Sequence, residues 1–294
     1  MPEIPDLTVY LDHLERRTRG AELTAIRLGS PFVLRSVAPR IDEVCPRGVI
    51  GWRRIAKQLV LELADDYYVV IHLMISGRLH WHERAVAIPK RNGLAAFDFS
   101  SGTLLFTEAS KKRRASLKLV AGDAALAAID PGGLDALGVG YDAFAQRLRA
   151  AHHTIKRALT DQHIIAGIGN AYSDEILLEA QLSPFKPANG LSDVEMRALY
   201  DACTAVLGEW IARLSQQTGE QFPDKVTAFH PEMAVHGRYR QPCPVCGSPV
   251  QRIVYAENES NYCATCQTGG RLLADRSLSR LLKASWPKRL EDLE

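Results

Sequence analysis

The sequence predicts a two-domain α+β protein, and three observations carry that prediction. Residues from about 22 to 119 show strand patterns separated by turn residues. The stretch from about 141 to 217 shows helical periodicity instead. Four of the six cysteines then fall within 24 residues. A chain of 294 residues is longer than one hydrophobic core usually serves, so two lobes are expected. Four segments are anticipated: 1–130, 131–235, 236–270 and a C-terminal extension at 271–294.

Leu7, Tyr10, Leu11 and Leu14 stand at helical spacing, with Asp6 able to cap the start and Arg16, Arg17 and Gly20 suited to the end, so a helix is predicted over 6–20. Ahead of it lies "MPEIPDL". A small second residue lets the initiator methionine be removed, which would leave a secondary amine on Pro2 beside the carboxylate of Glu3. Such amines titrate near 8, at about 7.7–8.0, so part of the population is an uncharged nucleophile that can form a Schiff base with an aldehydic carbon. A neighbouring helix N-terminus lowers that pKa further. The same residues also suit an ordinary frayed terminus.

In the strand region, "LVLEL" alternates, "YYVVIHLMI" is mostly apolar, and "AAFDFSSGTLLF" reads as two strands around a turn. Short strands at this spacing make a sandwich or a barrel. Alternation in "RRIAKQLVLEL" puts Ile55, Lys57, Leu59, Leu61 and Leu63 on one face. Lys57 then either snorkels at a strand end or lines a cleft, where it could bind a phosphate or move a proton.

After the Pro/Gly-rich "AIDPGGLDALG" come three short helices, "YDAFAQRLRAA", "TIKRALTD" and "AYSDEILLEA", and a long one over 192–217 opened by a Ser192–Glu195 capping box. Met196, Leu199, Tyr200, Cys203, Leu207, Trp210, Ile211 and Leu214 form its apolar stripe, which makes Cys203 a core residue. Between two of the short helices, "AGIGNAYSDE" makes a Gly-x-Gly-Asn corner. Its backbone N–H groups could cradle a phosphate at the start of the next helix, although many helix corners need such glycines.

Cys243, Cys246, Cys263 and Cys266 form C-x2-C, sixteen residues, C-x2-C. Each pair can present two thiolates from one tight turn, which together complete a tetrahedral Zn²⁺ site. "VQRIVYAENESNY" between the pairs reads as a β-hairpin. A closed four-thiolate site is structural, and no organic cofactor is expected.

Composition narrows the function classes. With 46% hydrophobic and 24% charged residues the chain reads as globular, no apolar run approaches membrane-spanning length, and the first 20 residues are not a signal peptide, so the cytosol or the nucleoid is the expected location. Net charge is only +2. Basic residues are nevertheless clustered, in "SKKRRASLK" and from His236 to the end, where nine Lys/Arg face six Asp/Glu. Such clusters meet phosphates or simply face water.

"PEIPD", "RRIAK", "HLMISG", "GIGNAYSDE", "HGRYRQPCPVC" and "YCATCQ", in this order, resemble the formamidopyrimidine-DNA glycosylase/endonuclease VIII family over nearly the whole chain to about residue 268. The resemblance implies an N-terminal β-sandwich with flanking helices, a C-terminal helical domain with a helix–two-turns–helix motif, and a β-hairpin zinc finger. It implies a base-excision repair glycosylase with AP lyase activity, acting as a monomer on damaged double-stranded DNA without a membrane. Pro2 would be the nucleophile, Glu3 its acid/base partner, Lys57 a phosphate-contacting catalytic lysine, and Glu175 the acidic residue near the terminal amine. His72, Lys156 and Asn170 match DNA-phosphate contacts. The wedge that fills the space left by a flipped base falls on Met74 or Ile75.

Departures from the family pattern are also legible. Asn258 stands where an arginine of the zinc hairpin is usual, which removes a bidentate donor. Arg113 and Arg114 fit an Arg-Arg-Phe loop, but Ala115 replaces the aromatic. Asp6 replaces a second glutamate. The extension past residue 270 is predicted helical, with Leu278, Leu281 and Leu282 on one face. These changes leave strand nicking expected and open the lesion preference to oxidised purines, oxidised pyrimidines or hydantoins. The competing readings are a lesion or abasic-site DNA-binding protein with weak or no glycosylase activity, and a zinc-ribbon protein that contacts other proteins.

Overall fold

The computed structural model describes residues 1–223, 226–227, 229–255, 258–274, 279–281 and 287–293. The chain divides into two compact units, residues 1–131 with 210–227 and residues 132–209 with 228–294.

The first unit opens with helix α1 (Ile4–Thr18), two residues earlier than the sequence predicts. Glu3 rather than Asp6 is its N-cap, because Asp6 is the third helical residue and closes a capping box: its Oδ2 accepts the Glu3 backbone N–H at 2.8 Å. Pro5 in the first turn loses no hydrogen bond there. Then follow β1 (Glu22–Leu28), a short α2 (Ile41–Val44), β2 (Arg47–Ile55), β3 (Gln58–Leu63), β4 (Tyr67–His72), β5 (Gly77–His82), β6 (Gly93–Phe99), β7 (Gly102–Glu108), β8 (Ser116–Ala121) and α3 (Asp123–Ala127).

These eight strands run in the order β5-β7-β6-β1-β2-β3-β4-β8, with every neighbouring pair antiparallel. The β1–β2 joint is short, pairing only Glu22 with Gly48 and Leu23 with Arg47. It links two four-stranded halves whose inward residues share one core. Phe97, Leu104 and Phe106 of one half and Leu59, Leu61, Ile71 and Leu117 of the other are fully buried there, with Leu7, Tyr10 and Leu14 of α1. A shared core between two facing sheets, with β5 and β8 left as edges, is a sandwich and not a barrel. Val60, Tyr68, Val70 and Val120, out of phase with those inward residues, form a separate cluster with Ile55 and Leu126.

Residues 210–227 belong with this unit although their helical pattern continues that of the second. The Phe222 ring lies 5.7 Å from Tyr10 and 6.2 Å from His13, and Arg17 donates to the Glu220 carbonyl at 2.8 Å.

The second unit contains β9 (Leu134–Asp135), α4 (Tyr141–Arg149), α5 (Ile155–Thr160), β10 (Ile165–Ala166), α6 (Asn170–Glu179) and the start of α7 (Asp193–Thr218), then the hairpin β11 (Gln251–Tyr255) and β12 (Asn258–Tyr262) and a short α8 (Ala264–Thr268). Residues 171–178 of α6 are buried on every side, so it shows no amphipathic stripe. The Ser192–Glu195 capping box forms, and Cys203 is 1% exposed in the core as its helical phase requires. Among the described residues the extension is helical at 279–281, as predicted, and forms a 3₁₀ turn at Leu290–Leu293. Leu278 and Leu282 lie outside the described residues, and Leu281 is exposed. Residues 271–274 are non-helical and lie against 287–290: Leu272 N–H donates to the Lys288 carbonyl and Leu290 N–H to the Gly270 carbonyl.

Candidate active site and nucleic-acid interface

At the amino terminus, Pro2 and Glu3 are buried. With Met1 still attached, its amine stands one residue ahead of the amine that a trimmed chain would carry on Pro2. Burial lowers the pKa of this terminal amine, the charges of Lys57 and Arg78 lower it further, and Glu3 and Asp6 oppose them. The terminus therefore lies among two carboxylates and two cations, in surroundings that favour the free base.

Lys57 reaches this group from a turn and not from a strand face. β2 ends at Ile55 and β3 starts at Gln58, its cross-strand partner, so Ala56 and Lys57 form the two-residue hairpin connection. The turn breaks the alternation read from the sequence: Ile55 packs with Val60, while Leu59, Leu61 and Leu63 face the sandwich core. Ala56 takes φ 50°, a value that glycine usually supplies at the first turn position. Lys57 itself is 8% exposed, and its charge acts on both the terminal amine and His72. His72 ends β4 opposite Ser116 of β8. Burial, then Lys57 and Lys118, push its pKa down to about 4, so it is a neutral imidazole at physiological pH.

The next turn separates the two wedge candidates. Gly77 N–H donates to the Leu73 carbonyl at 2.8 Å, closing a five-residue turn in which Met74 takes φ 52° and is half-buried. Ile75 stands at its tip, 56% exposed. Gly77 is required, since a Cβ there would lie 2.3 Å from the Leu73 oxygen. Gly77 pairs with Glu108 at the end of β7, so the basic segment starts beside this turn. Glu108 is 3% exposed, and its carboxylate accepts the backbone N–H groups of Arg114 and Ala115 at 3.1 Å each. That clamp leaves residues 111–114 exposed, with Arg113 donating to the Arg91 carbonyl. Ala115 is 2% exposed within the sandwich core, so its position faces inward and cannot present an aromatic to a ligand.

In the second unit, Gly167 takes φ 92° and Gly169 caps α6, whose first residue is Asn170. Gln162 fastens the corner: its Oε1 accepts the Gly167 N–H, and its Nε2 donates to the Thr160 and Ile168 carbonyls. Lys156, matched to a phosphate contact by resemblance, is instead turned inward and 3% exposed. Its Nζ donates to the Asn170 carbonyl at 2.7 Å and to Asp174 Oδ1 at 2.5 Å. Asp174 Oδ2 bonds His236 Nδ1 at 2.8 Å, and Ser260 and Asn261 of β12 reach the same carboxylate at 3.3 Å each. Burial opposes the charge on Asp174, yet Lys156 and His236 hold its pKa below the ordinary value. The neighbouring Glu175 accepts three backbone N–H groups, from Ala234, Val235 and His236, at 2.7–3.0 Å. Burial raises its pKa against those bonds. Buried Glu108, Asp174 and His236 and half-buried Gln162 all escape sequence reading, because each is a single polar residue whose surroundings no periodicity marks.

The four thiol sulfurs of Cys243, Cys246, Cys263 and Cys266 lie within 4.8 Å of one another. Tetrahedral zinc with bonds of about 2.3 Å needs sulfurs about 3.8 Å apart, so the set fits the ion. Backbone N–H groups turn toward the site as in metal knuckles, that of Cys266 onto the Cys263 sulfur at 3.5 Å. Cys243 and Cys263 also pack with Leu178, Val235 and Val250. The four cysteines form one structural Zn²⁺ site. Asn258 opens β12 opposite Tyr255, and its side chain lies outside the described part.

Comparison with known proteins agrees with this arrangement. Residues 1–115 match the formamidopyrimidine-DNA glycosylase N-terminal domain, residues 134–221 the formamidopyrimidine-DNA glycosylase H2TH domain, and residues 240–269 the zinc finger found in FPG and IleRS. A formamidopyrimidine-DNA glycosylase of Desulforamulus reducens is 30% identical over 91% of this chain and 99% of its own. An uncharacterized formamidopyrimidine-DNA glycosylase-like protein of Mycobacterium tuberculosis is 44% identical, over 51% of this chain and 94% of its own. Among solved structures, MutM in complex with DNA containing carbocyclic 8-oxo-G aligns with a TM-score of 0.79 at 25% identity, over 91% of this chain and all of that one. Lactococcus lactis Fpg in complex with abasic-site DNA shares the fold, with a TM-score of 0.79 at 23% identity over 90% of this chain and 99% of that one.

Proposed function

The chain belongs to the formamidopyrimidine-DNA glycosylase family of DNA glycosylases, and from that premise we propose that it is a bifunctional enzyme, which excises an oxidised base and then cuts the strand at the abasic sugar. The observation that carries this reading is the buried terminus, where Glu3 and Lys57 both act on the chain's amine.

After removal of Met1, the lone pair of the Pro2 nitrogen attacks C1′ of the damaged nucleotide, the glycosidic bond breaks with its electron pair leaving on the base, and the N–H proton then lost from Pro2 neutralises the departing base. Glu3, held by the capping box, donates a proton to the sugar ring oxygen as the ring opens. The product is an iminium joining Pro2 to C1′. Its positive nitrogen draws electrons from the C2′–H bond, and loss of that proton expels the 3′ phosphate. A second elimination releases the 5′ phosphate, and water returns the amine. Lys57 stabilises the anionic phosphate beside the sugar, and its charge adds to burial in lowering the pKa of the terminal amine.

DNA binding is assigned to both units. Ile75 is the wedge, since it is exposed at the tip of a fastened turn while Met74 is half-buried. Arg113 and Arg114 reach phosphates from the clamped loop, with His72 as a neutral donor. In the second unit Asn170 and the Gly-x-Gly corner bind phosphate, while Lys156 holds the Asn170 carbonyl and Glu175 holds the backbone of residues 234–236. Solved relatives bound to lesion and abasic-site DNA support duplex DNA as the partner.

Borohydride trapping on a duplex with an abasic site tests the mechanism, followed by a panel of oxidised bases. An adduct mapped to Pro2, lost in Pro2→Gly, together with failed base excision in Glu3→Gln, is the expected result. Retained DNA binding without any adduct would replace the lyase with a lesion-binding protein, the reading that Asn258 in the zinc hairpin favours.

A further inference from the structure

The extension past the zinc module is fastened down by apolar residues and holds two arginines face to face. Leu272 is buried against Ile253, Tyr262 and Ala264 of the zinc module, and Leu290 packs on the same cluster. Leu273 N–H donates to the Tyr262 hydroxyl at 2.8 Å. Between the two strands of this fold-back, Arg271 and Arg289 form an isolated antiparallel bridge. The flanking bonds, Leu272 to Lys288 and Leu290 to Gly270, make it the non-hydrogen-bonded kind. In such a pair the Cα atoms stand about 4.5 Å apart and the side chains leave from the same face. The residues after each arginine, Leu272 and Leu290, point the other way, into the cluster.

Two like charges directly opposite each other on a strand pair are destabilising. Arg271, Lys288 and Arg289 are all exposed, and no ion pair to their side chains occurs among the described residues. Asp292, the neighbouring carboxylate, accepts the backbone N–H groups of Lys288 and Arg289 at 2.9 and 2.8 Å and so fixes the turn. From Arg271 to Arg289 the sequence carries six Lys/Arg and one Asp. Two exposed arginines paired across a backbone bridge, on a segment with this charge, match a phosphodiester, whose oxygens can take a bidentate donor from each side.

We propose that Arg271 and Arg289, with Lys288 beside them, form a second phosphate-binding site on the zinc module, which grips the backbone of the duplex that the module engages. The inference rests on the DNA-binding reading above. It also supplies guanidinium groups on the same module in which Asn258 lacks one.

The test is the salt dependence of binding to a duplex carrying an abasic-site analogue. Each phosphate contact contributes about 0.9 to the slope of log K against log salt. R271A/R289A is expected to lower the slope by about 1–2 and to weaken binding on the order of tenfold near 200 mM salt. R271K/R289K, which keeps both charges, is expected to retain the slope, and each single alanine variant to lose about half of the effect. Zinc content and melting temperature of each variant report folding, and relief of the like-charge pair should leave the melting temperature unchanged or raised. An unchanged slope in R271A/R289A, or equal losses in the lysine variant, would overturn the site. Arginine-dependent binding to anionic phosphatidylglycerol vesicles with an unchanged DNA slope would also overturn it. Wild-type protein that neither binds nor traps an abasic duplex would instead refute the parent reading.

Discussion

Asp174 and His236 share a 2.8 Å hydrogen bond inside the second unit, while the other oxygen of the same carboxylate holds the Lys156 ammonium at 2.5 Å. An ionised carboxylate only accepts, so Nδ1 is the protonated nitrogen of His236. One fully buried acid thereby ties α5, α6, the segment before the first cysteine pair and, through Ser260 and Asn261, strand β12. Asp174→Asn would strand a buried ammonium and is expected to cost about 3–5 kcal/mol. Urea unfolding measures it, and Asp174→Asn with Lys156→Met should recover much of the loss. A single variant as stable as the parent would show that the network carries no such coupling.

The 73–77 turn separates presentation from chemistry. Gly77→Ala would force a Cβ into the Leu73 carbonyl and is expected to cost about 1–3 kcal/mol, with loss of base excision as the turn shifts. Ile75→Ala, at an exposed position, should change stability by no more than about 0.5 kcal/mol. It should slow excision from a paired duplex at least tenfold while leaving cleavage of a pre-formed abasic site nearly intact. Equal losses on both substrates would remove Ile75 from the wedge role.

His72 makes stability depend on pH in a defined window. Its folded pKa is about 4 against an ordinary value of 6.5, so the unfolded chain takes up the proton first as pH falls. The stability gained from keeping it neutral is fully present above pH 6.5 and is lost progressively toward pH 4, by at most about 1.4 kcal/mol per pH unit. Comparing His72→Gln with the parent between pH 6.5 and 5 by denaturant unfolding should show a steeper slope in the parent, since His13, also held below its ordinary value, contributes equally to both. Parallel curves would mean that the ring is not held neutral.

Zinc should be present at one ion per chain. Chelation, or Cys246→Ser, is expected to release it, to speed amide exchange in α6 and to abolish DNA binding, because Cys243 and Cys263 pack directly on Leu178. Retained protection of α6 after zinc loss would show that the finger folds independently of the helix beneath it.

The sequence by itself determined the strand and helix regions, the four-thiolate zinc site and the order of motifs, because these rest on local periodicity and short spacings. Helix α7 and its cap are examples, since Ser192, Glu195 and the apolar stripe lie within a few turns of one another. Tertiary structure decided what the polar residues do. Alternation placed Lys57 on a strand face, but a two-residue turn at Ala56 and Lys57 broke the phase. Lys156 reads as an exposed cation until Asp174, 18 residues away, and the Asn170 carbonyl close over it. Ala115 reads as a missing aromatic until Glu108 fixes the loop and turns that position into the core. The face-to-face arginines of the extension, too, depend on a fold-back between residues 18 apart in sequence. For Lys156 and for the paired arginines the deciding partner lies 18 residues away, and for Lys57 and Ala115 it is a turn or clamp whose burial the packed fold sets.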